Sequence, residues 1–223
     1  MDLMVRKGIR HYSAGERTVF LDVSTGRYSL LVGVLSLAFQ RWCGRRTLAN
    51  EDSGLLERLV DQRYLIPANA DEPGSLIFGT DPVIPQEDFR PFMASTSLCL
   101  VGSAVFQRLS WKRRLRKWPL QRIMKVQEKL DRLSRSRNPA ASVSVDQVVR
   151  AHQYADFLLG NHDLCLERTL ALVATCRRNG IDAQITIAVQ LNPFAAHAWA
   201  QHRGIILNER LDRARLFKPI LAF

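Results

Sequence analysis

The chain has 223 residues, 47% hydrophobic and 24% charged, a globular composition with room for one large domain or two small ones. Its formal net charge of +11 is concentrated between Trp111 and Arg137, where Lys and Arg face only Glu128 and Asp131. Four cysteines (Cys43, Cys99, Cys165, Cys176) show neither CxxC nor framework spacing; this excludes a disulfide scaffold, argues against a metal site and predicts free thiols in a reducing cytoplasm. The opening MDLMVRKGIRHY lacks an apolar core of signal-peptide length, so no export signal is expected. Phe92 to Gln107 is uncharged but short and rich in Ser, Thr and Gly, which suits a buried or interfacial helix and not a membrane span.

Three short strands are expected between Val5 and Leu31. The clearest pair, Val19 to Asp22 and Arg27 to Leu31, flanks the turn Ser24-Thr25-Gly26. An apolar helix from Leu31 to Trp42 and an amphipathic one from Glu51 to Arg63, with Leu55, Leu56, Leu59 and Val60 on one face, run into Tyr64-Leu65-Ile66. Strands followed by helices predict a small winged-helix-like domain. Pro67 to Pro91 has the prolines and acids of a linker, which divides the chain into domains at 1–80 and 81–223. Such an N-terminal domain could enter a DNA groove or offer a strand edge to an extended peptide. The second helix carries only Arg58 and Arg63 against Glu51, Asp52, Glu57 and Asp61, which favours the peptide.

Helical sequence resumes near Phe92 with Leu98, Val101, Val105, Phe106 and Leu109. It continues through a basic stretch whose apolar set is Leu115, Trp118, Leu120, Ile123, Val126, Leu130 and Leu133, interrupted at Pro119. The basic residues suit a nucleic-acid surface, a partner or membrane surface, or simply a solvated face. After the loop Asn138 to Ser144, Ser144 or Asp146 can cap a helix from Val145 to Leu159.

From Asn161 to Gly180 the punctuation is again helical: Asn161 or Asp163 can cap the start, and Gly180 fits the stop. Cys165 falls in the first turn, where the helix dipole favours the nucleophilic thiolate. Alternation then predicts a strand, with Ala183, Ile185, Ile187 and Val189 on one side. A second extended run, Ala195 to Leu207, turns at His202-Arg203-Gly204. A hairpin centred on Arg203 sets His197 opposite Glu209, six residues either way, so a carboxylate can orient an imidazole. Asn208 and Asp212 are the competing third members. A buried cysteine is usually inert and a strand histidine is usually structural, so a Cys-His pair at this spacing is weak evidence when taken alone.

The pattern CLERTLAL, CRRNGIDAQITIAV and PFAAHAWAQHRGIILNE resembles the transglutaminase-like leader peptidases of lasso-peptide biosynthesis, the B proteins. The resemblance implies an α+β chain in which a winged-helix-like precursor-recognition domain precedes a cysteine peptidase with a helix-borne Cys and an antiparallel sheet. Cys165 would be the nucleophile, His197 the base and Glu209 the third member, where the family usually has Asp. FLDVSTGRYSLL resembles the precursor-recognition domains of peptide-modifying systems, in which the leader lies between the third strand and the third helix. That match implies leader contacts at Arg27, Tyr28, Ser29, Leu30 and Leu31, and at Leu55 and Leu59. The partners so implied are the precursor's leader region and an asparagine-synthetase-like cyclase that closes the ring. No intrinsic cofactor is expected: the chain has no nucleotide motif, and any ATP requirement would enter through the cyclase. The alternative function is a non-catalytic winged-helix regulator that grips nucleic acid with the basic helix; it leaves the Cys165, His197, Glu209 pattern unexplained.

Overall fold

The computed structural model describes residues 2–69, 79–89, 95–135, 143–160 and 164–223. It is a mixed α+β chain that its internal contacts divide into two units: Met1–Phe78 with Leu191–Phe194, and Gly79–Gln190 with Ala195–Phe223.

In the first unit, β2 (Ile9–Ala14), β3 (Arg17–Asp22) and β4 (Arg27–Val32) form an antiparallel meander in that spatial order, with β4 at one edge. The Gly26 turn has the expected positive φ of 79°. A fourth strand, β1 (Leu3–Val5), pairs with β5 (Leu65–Pro67) in a separate ribbon, which three strands between Val5 and Leu31 did not foresee. Two helices follow the meander, α1 (Gly33–Cys43) and α2 (Asp52–Asp61). The segment expected to be a third helix is therefore the second among the described residues, and this unit is a strand meander followed by two helices. Ile9, Phe20, Leu31, Phe39, Leu56, Leu59 and Leu65 form the core. Phe20 packs edge-on against Phe39 with ring centroids 4.9 Å apart and stacks on Tyr64 at 4.7 Å. The loop between the helices is fastened by the Arg41 guanidinium, which donates from Nε to the buried Asp52 carboxylate at 2.8 Å, while the Ala49 N–H donates to the same oxygen at 2.8 Å.

The second unit sets helices against a five-stranded sheet in the order β10-β7-β8-β9-β6, with β7 Gln184–Leu191, β8 Phe194–His202, β9 Ile205–Ile206, β10 Lys218–Ala222 and β6 Glu87–Asp88. Strand β6 runs parallel to its neighbour β9. Helix α3 spans Leu98–Leu115 and is capped by Ser97, whose side chain accepts the Leu100 N–H; Phe92, near which helical sequence was expected to resume, lies outside the described residues. Pro119 separates it from α4 (Leu120–Arg135). The α4 residues Leu120, Ile123, Met124 and Gln127 are buried, while Arg122, Lys125, Lys129 and Arg132 are exposed. Trp118 lies between the guanidinium groups of Arg114 and Arg122, 5.3 and 4.3 Å from its ring centre. Helix α5 (Val145–Leu159) opens with a full capping box between Ser144 and Gln147.

Helix α6 (Cys165–Arg178) is the element on which the site depends. It ends as a Schellman motif: the Ile181 N–H donates to Cys176 O at 3.0 Å, the Gly180 N–H donates to Arg177 O at 3.2 Å, and Gly180 takes a φ of 75°. At the other end the N-cap position is Leu164, with no side-chain cap; the expected caps Asn161 and Asp163 lie outside the described residues. A buried charge cluster fixes this end. Arg108 of α3 is fully buried and donates from Nε to Glu167 at 3.2 Å, from Nη2 to Gly160 O at 3.0 Å and from Nη1 to Asp156. Arg168 reaches the same Asp156 carboxylate at 2.9 Å from its Nε. Two cations and two anions balance, which is the condition for holding charges out of water.

Candidate active site

Cys165 occupies the first position of α6, with its thiol half-buried. His197 lies on β8, and the structure brings the two side chains into hydrogen-bond contact. The other side of the imidazole is occupied by Glu209, whose Oε2 lies 2.6 Å from His197 Nε2. Nε2 is thus committed to the carboxylate, which leaves Nδ1 for the sulfur. Phe217 and Trp199 wall the imidazole, with ring centroids 5.0 and 6.1 Å away.

The electrostatics favour a charged pair. For His197, burial works against the cation, but hydrogen bonds to Cys165 and Glu209 and their negative charge outweigh it and raise the pKa to about 9. Burial likewise opposes a thiolate at Cys165, yet the imidazole and the backbone N–H groups of Ala198 and Leu166 bring its pKa below the ordinary value. Glu209 is also held low: its burial is outweighed by His197, the Arg210 N–H and Arg213. The arrangement can therefore present a thiolate beside an imidazolium, the state a nucleophilic cysteine requires.

The hairpin carrying His197 differs from the one expected. Gln201 pairs with Ile206 and His202 with Ile205, so its centre lies between Arg203 and Gly204 and not on Arg203. Both turn residues take positive φ, 51° and 83°, as a two-residue turn requires. Strand β9 stops at Ile206, and Glu209 sits beyond the ladder in a bend. It reaches His197 because the chain curls back there, not because the two face each other in register. Asn208 is engaged elsewhere: its Oδ1 accepts the Ala200 N–H at 2.7 Å and its Nδ2 donates to Thr169 at 3.0 Å. Asp212 is exposed, accepting from Arg210 at 2.9 Å and from the Arg213 backbone N–H at 2.8 Å. A cleft of about 350 Å³ lined by Phe89, Gln153, Arg168, Arg210 and Arg213 borders Glu209; Cys165 does not line it.

In the N-terminal unit, Arg27 and Leu30 of β4 are exposed, and Tyr28, Ser29 and Leu55 are half-buried. Ser29 Oγ accepts the Tyr64 hydroxyl at 2.5 Å. Leu31 and Leu59 point into the core, at 5% and 0% exposure, because alternation on β4 and the inner face of α2 turn them away from any surface a peptide could touch. The sequence pattern gave no role in the site to Thr169, Arg108 or Asp156; Thr169 follows Cys165 by one helical turn, which was the available signal for it.

Among the described residues no cluster of His, Cys, Asp and Glu could hold a metal ion, and no helix is long and apolar enough to cross a membrane. No curated protein and no solved structure matches the chain. The family model described as the transglutaminase-like superfamily matches residues 105–222, more than half of the chain, and this span includes Cys165, His197 and Glu209. The chain belongs to the transglutaminase-like superfamily.

Proposed function

We propose that the protein is a cysteine peptidase that removes the leader from a ribosomally made lasso-peptide precursor. The observation that carries the proposal is the unbroken run of contacts from the Cys165 thiol through His197 to the Glu209 carboxylate, at the start of a helix and within the matched family span. In the proposed reaction the Cys165 thiolate attacks the carbonyl carbon at the leader–core junction, forming the S–C bond. The oxyanion meets the Cys165 N–H, which at the first helical position has no intrahelical acceptor. As the C–N bond breaks, His197 gives its proton to the departing core amine. Water, deprotonated by His197, then hydrolyses the thioester and frees the leader.

The leader itself is proposed to add along β4 at Arg27, Tyr28, Ser29 and Leu30, with Leu55 of α2 beside it. The support is that β4 is a sheet edge with exposed apolar side chains at Leu30 and Val32. The outward-facing Arg and Lys of α4 are assigned to the cyclase that takes up the core, and any ATP requirement to that partner. The setting is a cytoplasmic one, and the proposed steps use the chain's own side chains.

Mass spectrometry tests the whole proposal. The protein incubated with a lasso-peptide precursor that it recognises should release one core peptide with a free amine, and Cys165→Ala should bind the leader but leave the precursor intact. Equal cleavage by Cys165→Ala removes the peptidase assignment.

A further inference from the structure

Strand β8 has an edge that β9 covers only at Gln201 and His202. Beyond that point its buried main-chain groups need other partners. At Ala200 the carbonyl accepts the Leu207 N–H at 2.9 Å, and the N–H donates to the Asn208 side chain at 2.7 Å in place of a ladder bond. At Ala198 the carbonyl accepts the Thr169 hydroxyl at 3.1 Å, and the N–H is directed at the Cys165 sulfur. Asn208 Nδ2 donates to that same Thr169 oxygen at 3.0 Å and closes the circuit.

We propose that Thr169 and Asn208 are positioning residues of the site, a hydrogen-bonded bracket that sets the distance between the nucleophile's helix and the strand of the base. The proposal deepens the peptidase reading and rests on it. Each anchor is one step from a reacting group: Thr169 lies one helical turn after Cys165 on the same face, Ala198 follows His197, and Asn208 precedes Glu209.

Thr175 shows what a helical threonine ordinarily does, donating back to Ala171 O at 3.0 Å within its own helix. Thr169, fully buried, instead turns its hydroxyl across to β8. A helical threonine divides between two rotamers, and the hydrogen bonds to Ala198 O and from Asn208 hold Thr169 in the one that crosses to the strand. Because β9 ends before Asn208, the chain around Glu209 lies past the ladder, and the Asn208 amide supplies the register there. One threonine oxygen thus ties all three segments of the site together.

The test uses the full chain and three variants, Thr169→Val, Thr169→Ser and Asn208→Ala. Site-resolved iodoacetamide alkylation of Cys165 is followed against pH, beside kcat and KM for precursor cleavage and the thermal midpoint. In Thr169→Val the onset of alkylation should move to higher pH by about one unit, and kcat should fall about 10- to 100-fold with KM within about twofold. Thr169→Ser, which keeps the hydroxyl, should restore both. Asn208→Ala should change both in the same direction as valine. Wild-type alkylation profiles and kcat in Thr169→Val and Asn208→Ala, whatever the thermal midpoint, would overturn the bracket; should Thr169→Val not fold, Asn208→Ala decides by the same criteria. If the wild-type chain cleaves no precursor, the peptidase reading falls, and the alkylation profiles still decide the bracket.

Discussion

His197 Nε2 and Glu209 Oε2 lie 2.6 Å apart although the hairpin register would place Arg210, not Glu209, opposite His197. The longer reach of a glutamate fits this geometry: the carboxylate comes from a bend past the end of β9 and must span a gap that strand pairing does not set. Glu209 also accepts the Arg210 backbone N–H at 2.9 Å through Oε1, so its two oxygens are divided between fixing its own loop and holding the imidazole.

Removing that carboxylate should slow the reaction without abolishing it. Glu209→Ala is expected to lower kcat about 100-fold or more, since an orienting group matters less than the nucleophile. Glu209→Asp should retain partial activity, and Asp212→Ala, at an exposed site paired with Arg210, should be close to neutral. Steady-state cleavage of precursor checks all three, and a dead Asp212→Ala beside an unaffected Glu209→Ala would reassign the third member.

The pH behaviour follows from the coupled pair. His197 is raised from 6.5 to about 9, so its stabilising charge is complete below 6.5 and is lost as pH rises through about 9. Glu209 is depressed, so its share is present above its ordinary 4.5 and fades as pH falls through its lower folded value. A histidine resonance in the wild-type chain should therefore titrate near 9 by NMR. In Cys165→Ala, which removes the first partner that raises it, that midpoint should drop; an unchanged midpoint would mean the thiol does not pair with His197.

Arg108 should be the most sensitive surface-remote position in the second unit. Arg108→Leu leaves Asp156 without one of its two cations and Glu167 without Arg108 in a buried setting, a loss of about 3–5 kcal/mol. Arg108→Lys should recover little of it, because an ammonium cannot bridge Asp156, Glu167 and Gly160 O at once. Urea denaturation at neutral pH gives the comparison, and a lysine variant as stable as the wild type would show that charge alone suffices.

His152 supplies an acid-sensitive element. Thr175 spends its hydroxyl proton on Ala171 O, so the His152 Nε2–H is the donor in their 2.9 Å contact. Burial, aided by Arg108 and Arg168, pushes its pKa down to about 3, which keeps it neutral in the fold. The unfolded chain takes up a proton near 6.5, so stability is lost as pH falls from there toward 3. His152→Leu should lose less stability than the wild type between about pH 7 and about pH 5, and equal pH slopes in denaturant titrations would contradict this.

Local signals in the chain determined a good part of the protein. The meander around Gly26, the Pro119 break, the Ser144 capping box and the Gly180 helix stop all rest on short-range backbone chemistry that a few residues specify. So did the position of Cys165 at a helix start and of His197 on the following hairpin, because helical and alternating periods are visible in a single segment. Tertiary structure alone decided the rest. The shift of the hairpin centre, the bend that delivers Glu209, the cross-strand hydroxyl of Thr169 and the burial of Arg108 among Asp156 and Glu167 each depend on how separate segments pack. Leu59 shows the same limit: on an amphipathic helix the sequence marks an apolar face, but only packing in the cluster with Phe20, Phe39 and Leu65 decides that Leu59 is fully buried while Leu55 is not.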